Sequence, residues 1–309
     1  MTGSPGDAPT SAAFTAAITL DERPARHHDV AYAATTQPCP WPKAYGGDLV
    51  AAAAAAAMRT VPEAGEGGKS LHSMHSYFMR PADIGAEVLY EVELLRDGRA
   101  YSTRHVRGYQ NGKPVYVALA SFATGEPGDS YSPQPPAVPA PETLPTSAKY
   151  LADRSGGTMT AESKAYWSGG RSFDMRHVPG PVYLTVEGDR APHQAVWFRP
   201  HDRLREVPGL SRAQRDTAAL AYVCDYTILE PVLRVLGLAW ARPGLVTASL
   251  DHAMWFHRVP GDGVLDDWLL YAQEAGHAGS GRGVGTGRIS TRDGQLLATV
   301  VQEGMTRVS

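Results

Sequence analysis

The stretch GEPGDSYSPQPPAVPAPETLPT, residues 125–146, carries seven of the chain's 24 prolines. Proline has no N–H for a sheet ladder, so this segment cannot run inside a sheet. It reads as an extended linker. It divides the 309 residues into two units of ordinary domain size. Residues 1–13 are expected to be a disordered N-terminus, 14–125 a first domain, 126–147 the linker and 148–309 a second domain.

Both units read the same way. Upstream of the linker, Val50 to Val61 contains seven consecutive alanines. Alanine is the best helix former and its small side chain permits close packing. Gly46-Gly47 precedes this run and Pro62 stops it. Val88, Tyr90, Val92 and Leu94 then recur with the period of a strand. Asp97-Gly98 and Asn111-Gly112 are hairpin dipeptides. Downstream, Ser211 to Leu236 has helical composition, with a kink or end expected at Pro231. The strand-like runs LVTASLDHAMWF, DWLLYAQEAG, GVGTGRIS and LLATVVQEGMTRV follow, with Asp293-Gly294 as the last hairpin. Each unit is therefore a helix followed by an antiparallel meander. The turns at Asn111 and Asp293 lie 293 − 111 = 182 apart, and Asp48 and Asp225 lie 225 − 48 = 177 apart. Offsets this similar point to an internal duplication. The expected class is α+β, one helix against one curved sheet, twice.

Bulk composition excludes several functions. The net charge of −3 leaves no basic surface for nucleic acid. Two cysteines, Cys39 and Cys224, cannot make a disulfide framework and fit a reducing compartment. No run is long enough for a membrane span, and the first residues lack the charge and apolar core of a secretory signal. A cytoplasmic protein with no membrane partner is expected.

Several motifs resemble one family. YGGDLV, SLHSMHSYFMRPAD and LLRDGRAYSTRHVRGYQNGKPVYVALASF in the first half look like the acyl-CoA thioesterase II family. So do LDHAMWFHR, WLLYAQEAGHAGSGRG and DGQLLATVVQEGMTR in the second half, in the same order. The resemblance runs from about residue 40 to 309 and is weakest around 130–180. It implies a tandem (double) hotdog fold and hydrolysis of acyl-CoA to free acid and CoA. By motif, the family's catalytic residues fall on Asp225 in AYVCDYTIL, Ser249 in TASLDH and Gln302 in TVVQEG. The chain departs from the pattern at Asp48, where many members have glutamine, and between Lys149 and Arg171, which match nothing in it. The resemblance also implies association into a homo-oligomer, a dimer or tetramer.

Read without the family, Asp225 sits among Leu220, Val223, Ile228 and Leu229. Burial there would raise its pKa and suit a general base; the plainer reading is the solvent face of a helix. Gln302 cannot be a base but can hold a water or a carbonyl, unless it faces solvent at a sheet edge. Ser249 lacks a G-x-S-x-G elbow, so its expected role is to position the attacking water. His252 is three residues on, and on a strand that spacing points to the opposite face. Asp48, Gly47 and His75 are read as substrate-contacting positions of the first unit. Backbone N–H groups at a helix start are expected to receive the oxyanion charge. In the first unit Ala120 or Ser121 stands where Gln302 stands in the second, so one active site per chain is expected.

Other signals are discounted. His72, His75, Asp251 and His252 lack the spacing of a metal site, and no metal or cofactor is expected. Gly279 to Gly287 does not match a phosphate loop and reads as a glycine-rich strand. Cys224 reads as a small buried hydrophobe. The alternatives to a thioesterase are a hotdog hydratase or dehydratase, for which Asp251 and His257 lack the Asn-Pro pattern, and a non-catalytic acyl-CoA-binding protein.

Overall fold

A computed structural model describes residues 9–62, 68–154, 159–261 and 263–309. The first half contains α1 (Ala12–Ala17), β1 (Asp21–Arg23), β2 (Val30–Thr35), α2 (Gly46–Met58), β3 (Ser70–Phe78), β4 (Glu87–Asp97), β5 (Tyr101–Gln110) and β6 (Lys113–Ala123). The second contains α3 (Ser147–Ala152), α4 (Ala161–Ala165), β7 (Phe173–Val178), β8 (His193–Pro200), α5 (Arg212–Cys224) and α6 (Glu230–Leu236). It ends with β9 (Leu245–Ser249), β10 (Asp251–Phe256), β11 (Leu269–Gly279), β12 (Arg282–Thr291) and β13 (Leu296–Val308).

The strands form one antiparallel sheet in the order β1-β2-β4-β5-β6-β3-β10-β13-β12-β11-β8-β7, with β9 on β13. The order β2-β4-β5-β6-β3 is mirrored by β8-β11-β12-β13-β10, so the duplication seen in the hairpin offsets is a repeat of topology. The halves meet where β3 pairs with β10, from Asp251↔Tyr77 to Trp255↔Ser73. Each half would leave that strand as an open edge, and the pairing closes both edges within one chain.

The expectation of a helix followed by a meander needs two corrections. A strand precedes each helix, β2 and β8. The strands that follow the helices, β3 in the first half and β9 with β10 in the second, cross to the far side of the meander and pair with β6 and β13. The helical stretch Ser211 to Leu236 is also interrupted at residues 225–229 and not at Pro231, which lies in the first turn of α6. Proline is tolerated there because that N–H has no partner in any helix.

The hairpins form as expected. Asn111 (φ 51°) and Gly112 (φ 73°) both take left-handed backbone between β5 and β6, the signature of the tight turn that matches strand twist. α5 starts on a capping box: the Ser211 hydroxyl accepts from Gln214 N, and the Gln214 side chain accepts from Ser211 N.

α2 is buried from Gly47 through Met58, because it lies between its own sheet and α5. A helix apolar on every side belongs in such a place, and the alanines let both neighbours approach. α6 packs on β11 and β12 as the counterpart of α2.

Residues 1–8 of the expected disordered N-terminus lie outside the described residues. The described remainder, residues 9–13, leads into α1. Ser11 Oγ donates to Ser172 O at 2.8 Å, and Ser172 Oγ accepts from Phe14 N at 2.9 Å. Phe14, wholly buried, anchors α1 in the core. The proline-rich stretch contains no strand. Its later part straps the outer face of the second half, where Val138 and Leu144 pack over Ala195, Trp197, Trp268 and Leu270. Trp197 Nε1 donates to Pro139 O at 2.9 Å.

Candidate active site

Asp225 caps the C-terminal end of α5, where that helix's own dipole disfavours a carboxylate. The start of α2, reaching across from the first half, offsets this. The backbone N–H groups of Gly47 and Gly46 are turned on the carboxylate. A Cβ on Gly46 would stand 2.6 Å from Asp225 Oδ2, so only glycine permits the approach.

The other carboxylate oxygen is held by the second half. Ser249 Oγ, at the end of β9, donates to Asp225 Oδ1 at 2.9 Å. Gln302 Nε2, on β13, donates to Asp225 Oδ1 at 2.7 Å and to Ser249 Oγ at 2.9 Å. The three residues singled out in the sequence therefore form a closed triangle. Gln302 is wholly buried in the sheet interior, not at its edge, and its Oε1 has no hydrogen-bond partner among the described residues. Asp225 is half-buried. Burial pushes its pKa above the usual carboxylate range, against the opposing pull of Gln302, Ser249, Gly47 and Gly46.

Asp48 lies in the first turn of α2 and is 2% exposed. Its Oδ2 accepts from Gln37 N at 2.7 Å, and its Oδ1 has no partner among the described residues. Burial pushes its pKa up to about 7, against the backbone hydrogen bond from Gln37 and the Tyr222 side chain. Gly47 sits against Tyr45 and Tyr222 O, with no room for a Cβ. His75, the other substrate-contacting expectation, faces outward. It projects from the face of β3 opposite the buried Met74 and Ser76, and its ring meets Trp255 edge-on at 4.9 Å. The alternation of the strand carries it away from Asp225.

His252 is a correction. Ser249 pairs with Gly304, but Ala253 pairs with Val301, a register shift of one residue at Leu250. That irregularity undoes strict alternation, and His252 is fully buried on the same inner face that carries Met254. Both its ring nitrogens lack hydrogen bonds among the described residues, and burial pushes its pKa down to about 4. It is therefore not the base for Ser249, whose proton goes to Asp225. Cys224 is buried, with Sγ 2.8 Å from Leu220 O, as a small hydrophobe would be.

The sequence reading missed Gly46 at this site. The paired glycines before Asp48 were the visible signal for it. Two clefts open elsewhere, one beside Arg190 and Arg242, the other under the proline strap beside Gln194 and Arg288. Among the described residues no three metal-ligating side chains gather, and no helix is long and apolar enough to cross a membrane.

Comparison with known proteins identifies the family. Residues 37–123 match the acyl-CoA thioesterase N-terminal domain and residues 135–306 the acyl-CoA thioesterase C-terminal domain. Acyl-CoA thioesterase 2 of Haemophilus influenzae is 32% identical over 284 residues, covering 91% of this chain and 93% of that one. Human acyl-coenzyme A thioesterase 8 is 33% identical over 276 residues, covering 87% and 82%. The crystal structure of an acyl-CoA thioesterase II from Mycobacterium marinum superposes with a TM-score of 0.72 at 32% identity, covering 96% of this chain and 98% of that one. The mirrored strand order and these matches along nearly the whole length agree: the chain belongs to the acyl-CoA thioesterase II family and is an acyl-CoA thioesterase.

Proposed function

We propose that the chain hydrolyses acyl-CoA to free acid and CoA at one site, where Asp225 activates a water positioned by Ser249 and Gln302. The observation that carries this reading is the hydrogen-bond triangle of 2.9, 2.7 and 2.9 Å among three residues far apart in sequence. A carboxylate whose pKa is raised by burial is a better base than a solvated one.

In the proposed reaction the water gives one proton to Asp225, and its oxygen bonds to the thioester carbon. The carbonyl π pair moves to oxygen. When that pair returns, the C–S bond breaks, and the CoA thiolate takes the proton back from Asp225. Asp225 ends as it began, and no cofactor enters. Gly46 and Gly47 have their N–H groups turned on Asp225, so we assign Gly47 to holding the base and not to the substrate. In the first half no side-chain amide equivalent to Gln302 bonds Asp48 among the described residues, which supports one site per chain.

The domain limits 14–125 and 148–309, joined by 126–147, fit the mirrored strand order and belong to this proposal. So do association into a dimer or tetramer, a cytoplasmic setting in keeping with the free thiols of Cys39 and Cys224, and a place in fatty-acid metabolism.

The test is release of thiol from decanoyl-CoA by purified variants. Asp225→Asn is expected to retain about 1% of activity or less, given the usual size of general-base effects. Ser249→Thr keeps much of it, and Ser249→Ala loses roughly 10–1000-fold. An acyl adduct on Ser249 in the mass spectrum would replace the water mechanism with a covalent one.

A further inference from the structure

His252 is a buried titratable side chain that the triangle leaves unused, and the pairing of β10 sets its place. Met254 lies opposite Val300 of β13 and opposite Met74 of β3, and all three are wholly buried on the inner face. Two residues back, His252 lies opposite Ser76 of β3. On its other side the pairs Ser249↔Gly304 and Ala253↔Val301 leave Gln302 as the inner-face residue of β13 beside it. Ser76, His252 and Gln302 therefore form one buried row across the seam, with neighbouring backbones about 4.8 Å apart. The extra residue in β10 creates this row, because strict alternation from Ser249 would have turned the ring outward. Bulges re-aim side chains in this way. Asp251 braces the bulge, its Oδ1 accepting from Glu303 N at 2.8 Å.

The row has three open polar atoms. Neither ring nitrogen of His252 has a hydrogen-bond partner among the described residues, nor has Gln302 Oε1. The Ser76 hydroxyl donates to the His252 backbone O at 2.9 Å, not to the ring. Buried polar atoms are nearly always paired, so three open ones on adjacent side chains point to a ligand. Their chemistry complements the reactants. A neutral imidazole has one N–H to give, and burial keeps this ring neutral by pushing its pKa down to about 4. A thioester carbonyl oxygen only accepts, so it suits that N–H. An amide oxygen also only accepts, so Gln302 Oε1 suits an O–H of the attacking water. The base stands on the other arm of the same amide, where Gln302 Nε2 bonds Asp225 Oδ1. Hydrolysis needs a donor where charge develops on the carbonyl oxygen, and a neutral imidazole polarises that oxygen without giving up its proton.

We propose that the ring N–H of His252 donates to the carbonyl oxygen of the bound acyl thioester, while Gln302 Oε1 accepts from the water that attacks it. This rests on the hydrolytic reading of Asp225. As the water oxygen bonds to the carbonyl carbon, the π pair moves onto the oxygen held by His252. His252 keeps its proton throughout, and the pair returns when the C–S bond breaks.

The experiment compares wild type, His252→Leu, His252→Gln and Asp225→Asn in steady-state hydrolysis of decanoyl-CoA, with folding checked by circular dichroism. Leucine is close to the imidazole in size and has no donor, whereas glutamine is close in size and keeps one. The expected result in His252→Leu is a fall in kcat on the order of 100-fold with KM within about threefold of wild type. His252→Gln should recover at least about tenfold of that loss. A kcat in His252→Leu within about threefold of wild type would overturn the proposal, measured against the size of oxyanion effects. So would equal losses in the two variants, since that marks a packing role. Where His252→Leu does not fold, His252→Gln decides alone, and its kcat must exceed that of Asp225→Asn by at least about tenfold. A ketone analogue of decanoyl-CoA, with a methylene in place of sulfur, reads the contact directly. Its carbonyl stretch should lie lower on wild type than on His252→Leu, and equal frequencies would overturn the proposal. Retained activity in Asp225→Asn would sink the hydrolytic reading itself, whatever the His252 variants do.

Discussion

Asp48 and His252 are buried titratable groups whose protonation pulls the stability of the fold in opposite directions. Asp48 holds its proton up to about pH 7 in the fold, against about 3.9 in the unfolded chain. The folded state therefore binds more protons, and stability present below pH 4 is lost as the pH rises to 7. At 1.36 kcal/mol per unit the loss is on the order of 4 kcal/mol. His252 has a folded pKa of about 4, against about 6.5 unfolded. Its contribution is present above pH 6.5 and is lost as the pH falls toward 4, by about 3 kcal/mol. Between those limits the two effects largely cancel. Asp48→Asn keeps the acceptor for Gln37 N and removes one of them. In urea unfolding it should match wild type near pH 4 and exceed it by up to roughly 4 kcal/mol at pH 8, with most hydrolysis retained. A difference that does not change with pH would mean that Asp48 is ionised in the fold throughout. The residues of the triangle were legible in the sequence because each lies in a motif. The paired glycines were visible too, but the task of Gly46 was not, because it comes from a contact between halves. His252 was placed on the wrong face because a single-residue register shift leaves no trace in composition.

The seven alanines of α2 make the sharpest prediction at the level of the element. Ala54 is 0% exposed, in a helix with the sheet on one side and α5 on the other. Ala54→Leu should lower stability by about 1–3 kcal/mol or more, since neither neighbour can withdraw. The urea midpoint should fall with an unchanged m-value; an unchanged midpoint would show free space around α2. That helix was readable because helix-forming residues and stop signals are local. β2 and β8 were not. Their burial runs almost unbroken, Ala31 to Ala34 in one and Gln194 to Phe198 in the other, so neither shows the period-two pattern of a one-sided strand. The crossing of β3 to β6 was equally hidden, because alternation identifies a strand without naming its neighbour.

Across the whole molecule the halves are held by the β3–β10 ladder and by α2 against α5, not by the linker. Residues 125–131 are exposed. A protease site placed there and cut after folding should leave the fragments associated, because the contacts that join them are buried and extensive. The measurement is two bands on a denaturing gel, one peak in gel filtration and activity close to that of the uncut chain. Separation of the fragments, or loss of activity on cutting, would mean that the linker carries part of the union. The two-unit plan was legible from prolines and repeated hairpins, whereas the seam was not, since nothing local specifies which edges meet.

The proline strap also breaks the equivalence of the two halves. It closes the outer sheet face over Trp197 and Trp268, while Tyr77, Tyr101 and Leu119 on the other half stay 60%, 52% and 50% exposed. A duplicated chain with two bare outer faces could stack indefinitely, each copy capping one neighbour and inviting the next. With one face sealed by its own backbone, any stacking through these faces would have a terminus: two bare faces would cover each other, and growth would stop at a pair.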